Sequence, residues 1–270
     1  MTPELWTPRR RGAPRVECAP PFGFGLPFDM PPVILGNSAA IFAPTSVAAI
    51  KLWLRADLGV TIATGVSQWN DQSGTGDANK NVAQATGSKQ PTRNTSDAAY
   101  NNQTTLSFAT ASSQELVSGT WAASLAEPET IFFVGHQIAS ASPYVFTDDA
   151  LTTNLRLMDN NGGGQVLRAY AGASLNSAVS CAAPFVSAVE FNGATSKIYM
   201  SAITATVSGS TGVAPANRAG LRLGVQGGGG GQYLNGKIAE VIIYGSVLSL
   251  SDRTAVTNYL GTRYGITIGA

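Results

Sequence analysis

Histidine occurs once in this chain, at His136, and cysteine twice, at Cys18 and Cys181. A single histidine excludes a multi-histidine metal centre. Two distant cysteines supply neither a disulfide framework nor a zinc site, so two free thiols are expected. Charge is scarce as well: 12% of residues are Asp, Glu, Lys or Arg, about half the usual share. Solubility is left to Ser, Thr, Asn, Gln and Gly. A net charge of +1 gives no basic footprint, so neither nucleic acid nor a membrane surface is an expected partner. No apolar run is long enough to span a bilayer as a helix. The opening "MTPELWTPRRRG" lacks the apolar stretch of a signal peptide; synthesis and folding in a cytoplasm are expected.

What the chain does have is unevenly distributed. Nine of its fourteen prolines fall within residues 1–44. Proline removes an amide donor and fixes φ, so this stretch can be neither a central strand nor a helix. It is too rich in aromatics for a solvated linker. Phe22, Phe24 and Phe28 need a surface to bury against, and Arg9, Arg10 and Arg11 suit an acidic one. The expectation is an extended arm over 1–44 that docks on a partner protein or a neighbouring copy, followed by a domain over 45–270.

From Ser46 onward short runs alternate with period two, the signature of strands with one buried face. Leu52 and Leu54 oppose Lys51, Trp53 and Arg55; Leu106 and Phe108 oppose Thr105 and Ser107; Ile198 and Met200 oppose Lys197 and Tyr199. "TIFFVGHQ" and "KIAEVIIY" are apolar on both faces and read as central strands. Asn192-Gly193 is a hairpin signal. Many short strands imply a sandwich or a barrel. At the end, Ser249 with Asp252 three residues on opens a helix. Val256, Tyr259 or Leu260, and Tyr264 recur on one face, and Gly265 closes it. That helix must lie on the sandwich, because it is too short to be stable alone.

Trp69, Asp71, Ser73 and Gly74 form a W-x-D-x-S-G element. Gly236, Ile238, Ala239 and Glu240 form a G-x-I-A-E strand, and "NYLGTRYGI" completes the closing helix. Together these resemble concanavalin A-like lectin/glucanase domains of the laminin G-like kind, over about residues 48–268. The resemblance implies an all-β, two-sheet antiparallel jelly-roll sandwich with one C-terminal helix, here preceded by the arm. Domains of this kind bind glycans, cleave them, or serve as structural modules, often in bacteriophage virions. With the arm, it implies a non-enzymatic virion structural protein, a capsid decoration, tail or baseplate component. Such a protein is held through residues 1–44 to other virion proteins, is present as a homo-oligomer or in many copies, and is located in the virion. Two alternatives stand beside it: a carbohydrate-binding host-adhesion module taking a host surface glycan, and a glycoside hydrolase.

Catalysis is not expected from local motifs. The Glu-x-Asp-x-x-Glu strand of the glucanase relatives is missing; Asp148 and Asp149 are adjacent, Glu127 and Glu129 flank Pro128, and Glu190 and Glu240 stand alone. His136 has no recognisable nucleophile partner and reads as a core or edge residue. No cofactor is expected, although "DQSGTGD" places Asp71 and Asp77 in an oxygen-rich turn. That turn reads either as a candidate calcium loop without the closing Glu or as a polar turn whose Asp71 accepts amides. Trp53, Trp121 and Tyr144 are candidate glycan-stacking aromatics, beside Tyr170 and Tyr233; each reads equally as a half-buried sandwich residue. Glu240, inside an apolar strand, must be paired; Arg55, Arg222 and Arg263 are the candidates.

Overall fold

The computed structural model describes residues 42–138, 144–148, 157–160, 165–226 and 232–270, without the side chains of residues 144, 145, 157 and 160. The chain divides into units Met1–Ile41 and Phe42–Ala270, and the second is the β domain. The arm residues Arg9, Arg10, Arg11, Phe22, Phe24 and Phe28, and Cys18, lie outside the described residues.

The strands run β1 (Ile50–Arg55), β2 (Val60–Ile62), β3 (Val66–Trp69), β4 (Val82–Ala83), β5 (Thr92–Asp97) and β6 (Gln103–Phe108). Next come β7 (Leu116–Ser118), β8 (Glu129–Gln137), β9 (Tyr144–Thr147), β10 (Leu157–Asn160), β11 (Val166–Tyr170) and β12 (Ser174–Ser180). The last are β13 (Phe185–Phe191), β14 (Ser196–Met200), β15 (Val207–Gly209), β16 (Arg222–Leu223) and β17 (Gly236–Tyr244), before helix α1 (Leu250–Tyr264). One sheet has the order β15-β14-β13-β8-β17-β6-β5, with β1 also paired to β17; the other has the order β12-β11-β10-β9-β16-β7-β4-β3-β2. Every strand pairing is antiparallel. The architecture is the expected all-β, jelly-roll-like sandwich with one helix.

The period-two runs resolve into two apolar layers. Leu52, Leu54, Trp69, Leu106, Phe108, Ile131, Phe133, Phe146 and Leu223 fill the space between the sheets. Trp53, Phe132, Val134, Ile242 and Tyr244, on the opposite face of the first sheet, meet Val256, Leu260 and Tyr264 of α1. The central strands β8 and β17 are apolar on both faces because one side meets the second sheet and the other meets the helix. Each fully buried side chain of this kind contributes roughly 1.5–3 kcal/mol.

Helix α1 begins where the Ser249 side chain accepts from the Asp252 amide at 3.1 Å and donates to the Asp252 carboxylate at 2.8 Å. It ends at Gly265, whose φ of 66° is a left-handed conformation that glycine adopts without strain. Ser249→Ala is expected to lower stability by about 1 kcal/mol in chemical denaturation, the usual cost of losing a cap.

A β-bulge explains Glu240. Ile238 pairs with Gly135, but Glu240 pairs with Val134, so the register slips at Ala239. Ile238, Val241 and Ile243 therefore face the inter-sheet core, while Ala239 and Ile242 face the helix. Without the extra residue, alternation would drive Glu240 into the space between the sheets. With it, Glu240 reaches the helix side. Trp53 Nε1 donates to it at 2.6 Å, the Tyr264 hydroxyl at 2.8 Å and the Tyr259 hydroxyl at 3.2 Å, with Arg263 Nε at 3.9 Å. Of the three arginines proposed from sequence, Arg263 is the ion-pair partner. Arg55 lies opposite Glu240 on β1, and Arg222 belongs to the other sheet.

Candidate functional site

The W-x-D-x-S-G element forms a loop between β3 and β4 that lies against β1. Trp69 is buried in the core, and its Nε1 donates to the Arg55 carbonyl at 2.9 Å. Asp71 organises the turn. Its Oδ1 accepts from the amides of Trp53 (2.8 Å) and Ser73 (2.9 Å), and its Oδ2 accepts from the hydroxyls of Ser73 (2.6 Å) and Thr75 (3.3 Å). Asp77 begins the short turn Ala78–Lys80, accepting from the Asn79 amide at 3.1 Å. Its other oxygen accepts from the Ala122 amide at 2.8 Å, tying this loop to the segment between β7 and β8.

Between those two segments lies a cavity of about 280 Å³, lined by Lys51, Thr75, Asp77, Lys80, Trp121 and the residues that follow it. A shallower hollow adjoins it, lined by Asp71, Asp77 and Asn81. Lys80 is 6% exposed. Its ammonium donates to the Lys51 carbonyl at 2.7 Å and to the Thr75 hydroxyl at 3.0 Å, and stands 5.5 Å from the centre of the Trp121 ring. Burial pushes the Lys80 ammonium below the ordinary lysine value, against the opposing pull of Asp71 and Asp77.

The fold thus brings three sequence-selected residues, Asp71, Asp77 and Trp121, to one place. Trp53 is elsewhere: its indole lies under the helix, bonded to Glu240, and only its backbone amide reaches this loop. Tyr144 is in β9, with its side chain outside the described residues. Tyr170 stands on the second sheet beside Arg168, 5.9 Å from its ring centre. His136 is half-buried, with Nδ1 2.7 Å from the Tyr100 hydroxyl. Among the described residues no group of three or more His, Cys, Asp or Glu could hold a metal ion. Lys51, Lys80 and the backbone after Trp121 escaped sequence reasoning. Nothing in "DANKN" marks Lys80, because the tryptophan that encloses it is 41 positions away.

Most described carboxylates face a cation. Asp57 meets Arg55 and Arg263, Asp97 meets Lys237, Glu115 meets Arg222, and Asp159 meets Arg168. Glu129 and Asp148 meet Arg218, Glu190 meets Arg253, and Glu240 meets Arg263. Among the described carboxylates outside such pairs, Glu127 accepts the Ala214 amide and Asp252 sits at the helix start. The other two, Asp71 and Asp77, line the hollows beside Trp121.

Neither protein-family models nor curated protein sequences match this chain. Solved structures do share its fold. A Trypanosoma rangeli sialidase in complex with sialic acid superposes with a TM-score of 0.54 at 11% identity, over 80% of this chain and 33% of the sialidase. The same sialidase with the inhibitor DANA gives 0.53 at 14%, over 85% and 35%. A GH54 α-L-arabinofuranosidase soaked with a cyclic sulfate inhibitor gives 0.52 at 14%, over 74% and 51%. The chain spans about a third of the sialidases and half of the arabinofuranosidase. At this identity the likeness establishes the fold alone. The expectation of a non-enzymatic bacteriophage virion structural protein is nevertheless corrected, because the matched proteins carrying this sandwich are glycosidases. Carboxylates contributed by separate strands or loops share no local motif, so a site assembled from them leaves no mark in the sequence. Asp71 and Asp77 are brought to their cavity by a loop.

Proposed function

We propose that this chain is a glycoside hydrolase domain that admits a sugar to the cavity beside Trp121. The observation that carries the reading is the position of Asp71 and Asp77. Asp77 lines the cavity and Asp71 the hollow that adjoins it, and neither makes an arginine or lysine ion pair among the described residues. Glycoside hydrolysis commonly uses two carboxyl groups flanking the bond, one exchanging a proton with the leaving oxygen and the other acting on the opposite side of the sugar. Asp77 lines both hollows. Each of its oxygens accepts one backbone amide and keeps acceptor capacity for a sugar. Asp71, fixed by four donors, stands at the rim as the second carboxylate. The glycosidase matches support this reading, as does the place of Asp71 within the laminin G-like element. The whole proteins' activities belong to chains of which the aligned part is about a third in the sialidase and half in the arabinofuranosidase.

The test is release of reducing ends from a panel of aryl glycosides and polysaccharides. The full chain is expected to release sugar from at least one of them. Asp77→Asn, which keeps one oxygen for only one of the two backbone amides, is expected to lower kcat by roughly 100-fold or more, the scale of acid–base catalysis, while remaining folded at the assay temperature, as its melting curve checks. A chain that neither releases nor retains any sugar of the panel overturns the reading.

A further inference from the structure

The cavity beside Trp121 is lined by several hydrogen-bond donors that have no acceptor among the described residues. Two of the three N–H groups of Lys80 are taken by the Lys51 carbonyl and the Thr75 hydroxyl, leaving one. Trp121 is 4% exposed, and its buried Nε1 has no acceptor. Ala123 and Ser124 are exposed residues that also line the cavity, and their backbone amides make no hydrogen bond among the described residues. Lys51 also lines the cavity. On the acceptor side, Asp77 already receives two amides, and the Thr75 hydroxyl already receives Lys80. A buried donor without an acceptor costs about 1–3 kcal/mol. A bound group that supplies several lone pairs and a negative charge answers all of these donors at once.

We propose that this cavity binds the carboxylate of an acidic sugar, an inference that rests on the glycan reading of the same site. A neutral hydroxyl offers at most two lone pairs, too few for the donors gathered around Trp121. A carboxylate offers about four acceptor positions, oriented by a planar group that two lysines and a line of amides can hold. The volume of about 280 Å³ is at the small end for ligand pockets, which suits one sugar ring carrying its acid group.

The experiment is calorimetric titration of the full chain with galacturonic acid oligomers, with galactose oligomers of equal length, and with inorganic phosphate. The acidic oligomers are expected to bind at least 10-fold more tightly than the neutral ones. That preference should shrink at high salt and disappear in Lys80→Met. Lys51→Met, at the cavity wall, should reduce it several-fold, which keeps the test valid if Lys80→Met fails to fold. Lys197→Met, on β14, should leave it unchanged. Equal affinity for acidic and neutral oligomers overturns the carboxylate assignment and leaves the glycan reading intact. Retention of neither overturns the glycan reading itself. Phosphate binding that depends on Lys80 with no gain from the sugar overturns the acidic-sugar part and identifies a free-anion site.

Discussion

Glu240→Gln is expected to flatten the pH dependence of folding stability between about pH 4.5 and pH 7. Burial between β17 and α1 pushes the Glu240 carboxyl up to about 7, although Trp53, Tyr264, Arg263 and Arg55 oppose the shift. The folded state therefore holds this proton more tightly than the unfolded chain does. The group's stabilising contribution is complete below the ordinary glutamate value near 4.5, and it is lost as pH rises through about 7. A shift of that size corresponds to about 3 kcal/mol. Glutamine keeps a carbonyl acceptor for Trp53, turns its NH2 toward the Tyr264 hydroxyl oxygen as a donor, and carries no titrating proton. Urea denaturation at intervals from pH 4 to pH 8.5 should show the wild type losing about 3 kcal/mol relative to Glu240→Gln across the window. Parallel curves for the two proteins would refute the assignment. Glu240→Ala, by contrast, leaves the Trp53 and Tyr264 donors buried without an acceptor, and it should destabilise at every pH by about 3–5 kcal/mol.

Arg218→Met is expected to be at least as damaging. Arg218 is fully buried and donates to Glu129 from Nε at 3.1 Å and from one terminal nitrogen at 2.8 Å; its other terminal nitrogen meets Asp148. Its guanidinium also stands 4.8 Å from the Phe146 ring centre. Removing this cation takes a charged partner from two buried carboxylates, and breaking such a cluster costs about 3–5 kcal/mol. The triple variant Glu129→Gln, Asp148→Asn, Arg218→Met removes the uncompensated charge and should recover a large part of the loss. Denaturation midpoints, or soluble yield if the single variant does not fold, decide the matter. A single variant as stable as the wild type, or a triple variant no better than the single, would show that the charge balance of this cluster does not govern its stability.

The two buried clusters differ in how far sequence reasoning reached. Glu240 was visible as an anomaly, and Arg263 and Arg55 were among its candidate partners. The bulge at Ala239 that turns it toward the helix was not visible. A bulge is a property of pairing with β8, and neither strand alone carries its mark. The Arg218 cluster was not visible at all. Glu129, Asp148 and Arg218 read as three separated polar residues until β8, the end of β9 and the segment before β16 meet. The closing helix was legible in detail. Its cap, its buried face and its terminal glycine are all local signals, and each occurs where expected.

The candidate site shows the same division. Asp71 and Asp77 stand in one turn, so the sequence brought both forward. The tryptophan and lysine that make the cavity with Asp77 come from segments more than forty positions apart. By itself the sequence determined the strand-rich class, the central strands, the terminal helix and the absence of a histidine metal centre, because these follow from periodicity, capping and composition. Only the tertiary structure decided which carboxylates are neutralised, which way Glu240 points, and that Lys80, Asp77 and Trp121 share a wall. Ion pairs and cavities are contacts between distant segments, and local patterning carries no record of them.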